Sequence, residues 1–273
     1  MDDTILAIYC LCDDLLQALG HREDPQCEMS DAEVMTTALV AALFFGGNHE
    51  RARQLLASPR YVPHMLSRSR LSRRMHRLVP LFERLFAHLA EIWKQLNAAS
   101  TYIIDTFPVP ALDNIRIPRA RLYRHEAFRG YIPSKRRYFF GLRLCLLPTA
   151  RGEPIKVFLL PGSLGDATAV GRFTYDLPPG SVVYADRGCT DYTTEDLLQE
   201  AQGIELSAMR KKNSERPVPP WTAYVQFHGR KMIETAGSLI SQLLPKSIHA
   251  VTPQGFELKV FLFVLAYSIQ CAL

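Results

Sequence analysis

At residue 101 the sequence changes period. The first hundred residues carry long apolar runs and helical spacing, whereas from Thr101 onward the apolar residues come as short strand-like runs parted by turns. In the first part, MSDAEVMTTALVAALFF opens with Ser30 and Glu33 at capping-box spacing and stops at GGN, residues 46–48. Two further helices are predicted, over RARQLLAS and over LSRRMHRLVPLFERLFAHLAEIWKQLN, the latter interrupted near Pro80.

After the switch, YIIDT (102–106) is the first predicted strand and is expected to break at the prolines that follow. RRYFFGLRLCLLPT and PIKVFLLPG, joined by ARGE, form a hairpin. DATAVGRFTYD (166–176) reads as a helix with Asp166 as its N-cap. A strand over 181–186, a helix over 193–202 and a strand over 204–210 follow. A helix over 228–244 and a buried helix over the apolar run 260–273 complete the chain. Strand–helix–strand units fed by a hairpin build an α/β layer: a mixed five-stranded sheet flanked by helices, preceded by an α-helical segment. The division falls between 1–98, a helical N-terminal domain, and 99–273, an α/β domain.

Charge is distributed unevenly. Residues 1–50 hold ten Asp and Glu against Arg22 alone, and residues 51–82 hold eight Arg, among them Arg73 and Arg74, with no acid. Further basic stretches run from Arg116 to Arg143 and from Arg210 to Lys231. Such stretches suit a polyanionic partner, and short helices with an arginine-rich turn suit a helix-turn-helix-like module; a solvated basic face on a bundle fits the same pattern. The six cysteines lack C-x2-C pairs and zinc spacing, so buried, reduced thiols in a soluble cytoplasmic protein are expected. The run 260–273 is too short to span a bilayer, and no membrane partner is expected.

Two aspartates share one local setting. IID and VVYAD are apolar runs ending in Asp105 and Asp186 at the C-terminal ends of strands, where open sheets bind ligands. If the two strands are parallel neighbours, the carboxylates stand together, and a divalent cation relieves their repulsion. Glu234, on a helix face with Arg230, Gly237, Ser238 and Ser241, is the candidate third ligand. Asp and Glu are hard donors suited to Mg²⁺ or Mn²⁺, and two such ions serve an in-line phosphoryl displacement. Taken singly, Asp105 also fits a turn before Pro108, Asp186 an Asx turn, and Glu234 an ion pair with Arg230.

These residues, with SDAEVMTTALVAALFFGGNHERA, YVPHMLSRSRLSRRMHRL, GYIPSKRRYFFGLRLCLL, PGSLGDATA, LPPGSVVYADRGCTDY and GRKMIETAGSLISQLLPKSIHAVTPQGFELKVFLFVLAY, resemble insertion-sequence transposases of the DDE type. The resemblance implies an RNase H-like catalytic core with Asp105, Asp186 and Glu234 as catalytic, metal-binding triad. It implies hydrolysis of a phosphodiester at the element's ends by metal-activated water, then attack of the freed 3′-hydroxyl on target DNA. It also implies DNA ends and target as partners, a homodimer when two ends are synapsed, and a place on the nucleoid. Of the related Tyr-x2-Arg-x3-Glu-x6-Lys signature, Phe227, Arg230 and Glu234 stand at the first three positions, while Ser241 replaces the lysine.

Arg230 thus keeps a slot for a phosphate contact, with Lys231 beside it. Arg210, Lys211 and Lys212 precede the triad helix, and Lys135, Arg136 and Arg137 lead into a strand; all are candidates for the DNA backbone. Trp221 either stacks on a base or anchors its loop. Two other readings fit the triad: a different RNase H-like nuclease, and a DNA-binding transposase descendant that no longer cuts.

Overall fold

The computed structural model describes residues 1–112, 117, 122–123, 125–132, 136–210, 214–227, 244–245 and 248–273. Two compact units result: Met1–Leu89 with Ile240–Leu273, and Ala90–Leu239. The last helix thus falls in the same unit as the first ones.

The first unit holds α1 (Asp2–Ala18), α2 (Asp31–Phe45), α3 (His49–Leu56), α4 (Arg68–Arg77) and most of α5 (Val79–Leu96). The capping box of α2 forms as expected: the Glu33 amide donates to Ser30 Oγ at 3.1 Å, and the Ser30 amide to Glu33 Oε2 at 2.7 Å. Gly46 ends the helix in the left-handed region at φ 55°, where a side chain would be strained. Leu78 separates α4 from α5, and Pro80 falls in the first turn of α5, where a missing N–H is harmless. The last helix runs Pro253–Ala272, earlier in its start than the apolar run suggested. It is the one described helix long and apolar enough to cross a membrane, yet Phe256, Leu262, Phe263 and Leu265 on it are buried beside α2.

The second unit is built on a six-stranded mixed sheet. Its strands are β1 (Thr101–Leu112), β2 (Arg129–Ile132), β3 (Arg137–Pro148), β4 (Pro154–Pro161), β5 (Val182–Ala185) and β6 (Glu205–Ala208). The order is β2-β3-β1-β5-β6, with β4 also paired to β3. β2 is the strand the sequence pattern does not reveal: it has four residues inside a basic segment. β3 and β4 form the expected antiparallel hairpin, while β1–β5 and β5–β6 are parallel. The helices are α6 (Asp166–Val170), α7 (Tyr192–Gln202) and α8, helical residues 220–227. α6 is shorter than the predicted 166–176, since the chain turns at Gly171 to set Phe173 edge-on against Phe158 at 4.5 Å between ring centroids. Tyr102, Ile103 and Ile104 of β1 are buried, each worth about 2 kcal/mol of removed apolar surface.

The expected break of β1 at proline does not occur; its parallel partner stops instead. The Ser100 carbonyl accepts from the Val182 amide of β5, whereas the Thr101 carbonyl accepts from Ala150 on the β3 side. Alternation therefore aims the backbone of even-numbered β1 residues at β5, including the nitrogens of Pro108 and Pro110. Pairing with β5 ends at Ile104–Ala185, while pairing with β3 continues to Leu112. Both prolines thus lie where no amide proton is required, on an edge without a described partner strand.

Candidate active site

Asp105 and Asp186 come together as the strand pattern predicts. The parallel register runs Thr101–Val182, Tyr102–Val183, Ile103–Tyr184 and Ile104–Ala185, so the two aspartates occupy the next position on neighbouring strands. Adjacent strands are about 4.8 Å apart. The Thr106 amide, which faces the β5 side, donates to Asp105 Oδ1 at 2.7 Å. β5 ends at Ala185, and Asp186 remains extended at φ −73°, ψ 167° before a tight turn at Arg187–Cys189.

Asp166 adds a third carboxylate that spacing alone assigned differently. It is not an N-cap: Gly165 holds that position, and no side-chain cap bond forms. Instead Asp166 Oδ1 accepts from the Thr106 hydroxyl and from Arg143 Nη1, the latter at 2.7 Å, while Arg143 also donates to Thr106 Oγ1 at 3.0 Å. Arg143 is 13% exposed, so its charge needs this partner. The network ties α6 and β3 to the residue following Asp105. On the other side, a Cβ at Gly188 would lie 2.8 Å from Asp166 Oδ2, a clash that explains glycine two residues after Asp186.

The buried Cys189 thiol marks how closely these groups gather. Burial pushes its pKa up first, and the charges of Asp166, Asp105 and Asp186 raise it further. The thiol stays protonated beside three carboxylates. Cys12 and Cys145 are buried as well, each pushed up to about 12 mainly by burial; Cys10, Cys27 and Cys271 are exposed, contrary to the expectation of buried thiols.

Glu234, the expected third member of the triad, lies outside the described residues, as do Arg230, Lys231, Lys211, Lys212 and Lys135. Arg136 and Arg137 are exposed at the start of β3, where the rings of Tyr131 and Tyr138 pair across β2 and β3 at 5.0 Å. Arg210 is committed inside the fold: it makes a two-pronged pair with Glu195 of α7 at 2.6 and 2.7 Å, and it lies over the Tyr192 ring. Arg216 pairs likewise with Asp196 and also lies over the Tyr192 ring. The basic stretch after β6 is thus partly neutralised by α7. Trp221 is 70% exposed on α8, so it does not anchor its segment.

In the helical unit Arg73 is exposed, but Arg74 is spent on Asp31 and on the Met29 carbonyl. Asp31 also meets His21 Nε2 at 2.8 Å, and its amide donates to Glu23 Oε1 at 2.7 Å. His21, Glu23 and Asp31 have a spacing that suits a metal, yet the guanidinium of Arg74 already supplies the positive charge. The carboxylates that claim these arginines, Glu195 for Arg210 and Asp31 for Arg74, sit on other elements. That is why the sequence offered both arginines to DNA.

A mixed sheet whose central strand and its parallel neighbour carry adjacent aspartates, with helices around it, is the architecture of the RNase H-like class. A family model described as a transposase DDE domain matches residues 96–247, more than half of the chain. The chain belongs to that transposase family. Searches of curated proteins and of solved structures gave no match.

Proposed function

We propose that this protein is an active insertion-sequence transposase that hydrolyses phosphodiesters at the ends of its element and joins the freed strands to target DNA. The observation that supports this most is that Asp105 and Asp186 each directly follow the last parallel pair, Ile104–Ala185, of neighbouring strands. Their oxygens are the hard donors that Mg²⁺ or Mn²⁺ prefers, and the only thiol beside them among the described residues is kept protonated. The residues therefore fit a divalent site: Asp105 and Asp186 would hold the ions, with Glu234 completing the set. Bound ions would supply charge neutralisation on the phosphate and activation of the attacking oxygen.

The chain's own residues do the rest. Thr106 and Arg143 fix the segment after Asp105 through Asp166, which makes Arg143 and Asp166 positioning residues. Arg136, Arg137 and Arg73 are exposed and suit backbone phosphates, together with Arg230, Lys231, Lys211, Lys212 and Lys135 of the basic segments. The helical N-terminal segment serves DNA recognition, and two copies act on two synapsed ends in the cytoplasm, on the nucleoid.

The test is a nicking and strand-joining assay on terminal-repeat DNA with Mg²⁺. Wild type is expected to nick and join; Asp186→Asn, Asp105→Asn and Glu234→Gln are expected to do neither. Cleavage that persists in chelator would overturn the reading. Tight DNA binding without cleavage in any metal would favour the silent descendant, and cleavage of RNA–DNA hybrids without end preference would favour another nuclease of the class.

A further inference from the structure

A hollow of about 530 Å³ opens within the helical unit, between the turn joining α2 to α3, the helix α4, and the start of the last helix. Its volume lies in the range of sites that take small organic ligands. Leu71, Met75, Leu258 and Phe263 form an apolar floor. Its charged side chains are mostly cations, Arg53, Arg68 and Lys259 against the Glu50 carboxylate, with the imidazoles of His49 and His76 beside them.

Glu50 is already taken, because Arg53 donates to its two oxygens at 2.7 and 3.0 Å. Arg68 and Lys259 therefore remain as excess positive charge around the concavity. Lys259 Nζ donates to the His249 carbonyl at 2.6 Å, a bond that holds the ammonium without neutralising it. The cations also disfavour one another. Burial first and then Arg68 lower the Lys259 pKa, and burial with Lys259 and His76 lowers that of His49 to about 4. His49 Nδ1 is buried and has no hydrogen-bond partner among the described residues. Cations crowded about a hollow, with a buried imidazole nitrogen unmatched, call for an anion.

We propose that this hollow binds a phosphate ester, its oxygens on Arg68 and Lys259 and its organic part against the Leu71–Phe263 floor. Two sources share that chemistry: a nucleotide within a DNA strand, and a free nucleotide. The DNA source rests on the transposase reading; the phosphate chemistry does not.

The experiment follows the imidazole signals of His49 and His76 by NMR in the full chain, assigned with His49→Gln and His76→Gln. The protein is titrated with inorganic phosphate, with AMP and with a short DNA duplex. A bound phosphate favours imidazolium, so the His49 signal is expected to shift to higher pKa, and the His76 signal to move in chemical shift. Arg68→Ala, an exposed and fold-neutral change, is expected to weaken the phosphate and AMP titrations roughly tenfold. Arg51→Ala, on α3 outside the hollow, is expected to leave them unchanged. Shifts with duplex as well identify DNA as the source, and shifts with phosphate and AMP alone identify a free nucleotide. No shift with any of the three, or equal weakening by Arg51→Ala, overturns the site. Loss of end cleavage with these shifts intact counts against the proposed function and not against the hollow.

Discussion

The Asp31 cluster of the helical unit and the Asp105–Asp186 pair of the sheet unit are both acidic, and they differ in what brings their groups together. Asp31 is 10% exposed and is gripped by Arg74 and His21, so its charge is matched by the fold itself. In the sheet unit the buried arginine, Arg143, serves Asp166 and Thr106, while Asp105 and Asp186 are set side by side by strand register. A spacing that suits a metal is thus a poor guide by itself. At Asp31 a guanidinium marks an ion pair that holds helices together, whereas strand register is what brings Asp105 beside Asp186.

The largest expected effect tests the second half of this contrast. Asp186→Asn should lower end cleavage on the order of 10³-fold while the thermal midpoint stays within a few degrees of wild type. Cleavage at wild-type rate would break the comparison. The converse holds for Arg74→Met, which leaves Asp31 without its guanidinium and should cost about 3 kcal/mol in urea unfolding. Adding Asp31→Asn should restore most of that loss, a recovery that a role confined to DNA contact would not produce.

Acid should sharpen the contrast further. His49 is held at about 4 against an ordinary 6.5, so in the window between these values the unfolded chain takes up the proton first. Its contribution, up to about 3 kcal/mol, is present above pH 6.5 and lost as pH falls toward 4. The urea midpoint should follow that course, and His49→Gln should flatten it. The smallest effect separates two arginines. Arg137→Ala should reduce the salt slope of duplex binding by about one. Arg210→Ala should leave that slope unchanged and lower stability instead, because Glu195 is its partner.

Much of this was legible from residue order. The capping box of α2 is local chemistry, four residues long, and it forms as written. The meeting of Asp105 and Asp186 follows from two apolar runs that each lead into an aspartate and pair in parallel. What escaped the sequence depends on partners far along the chain. Arg143 reaches Asp166 only because β3 carries it opposite Pro108, and Glu195 meets Arg210 only once α7 packs beside β6. The run of β1 through two prolines was hidden for a related reason: whether a missing amide matters depends on the neighbour that would have accepted it. Glu234 stays on sequence evidence alone.

Those prolines have a consequence for traffic at the sheet. Beyond Asp105 the margin of β1 that faces the β5 side lacks two of the amide hydrogens an incoming peptide would need in order to dock as an extra strand. Among the described residues that margin is therefore a poor template for an added strand, while the prolines place no such bar on a ligand held through phosphate.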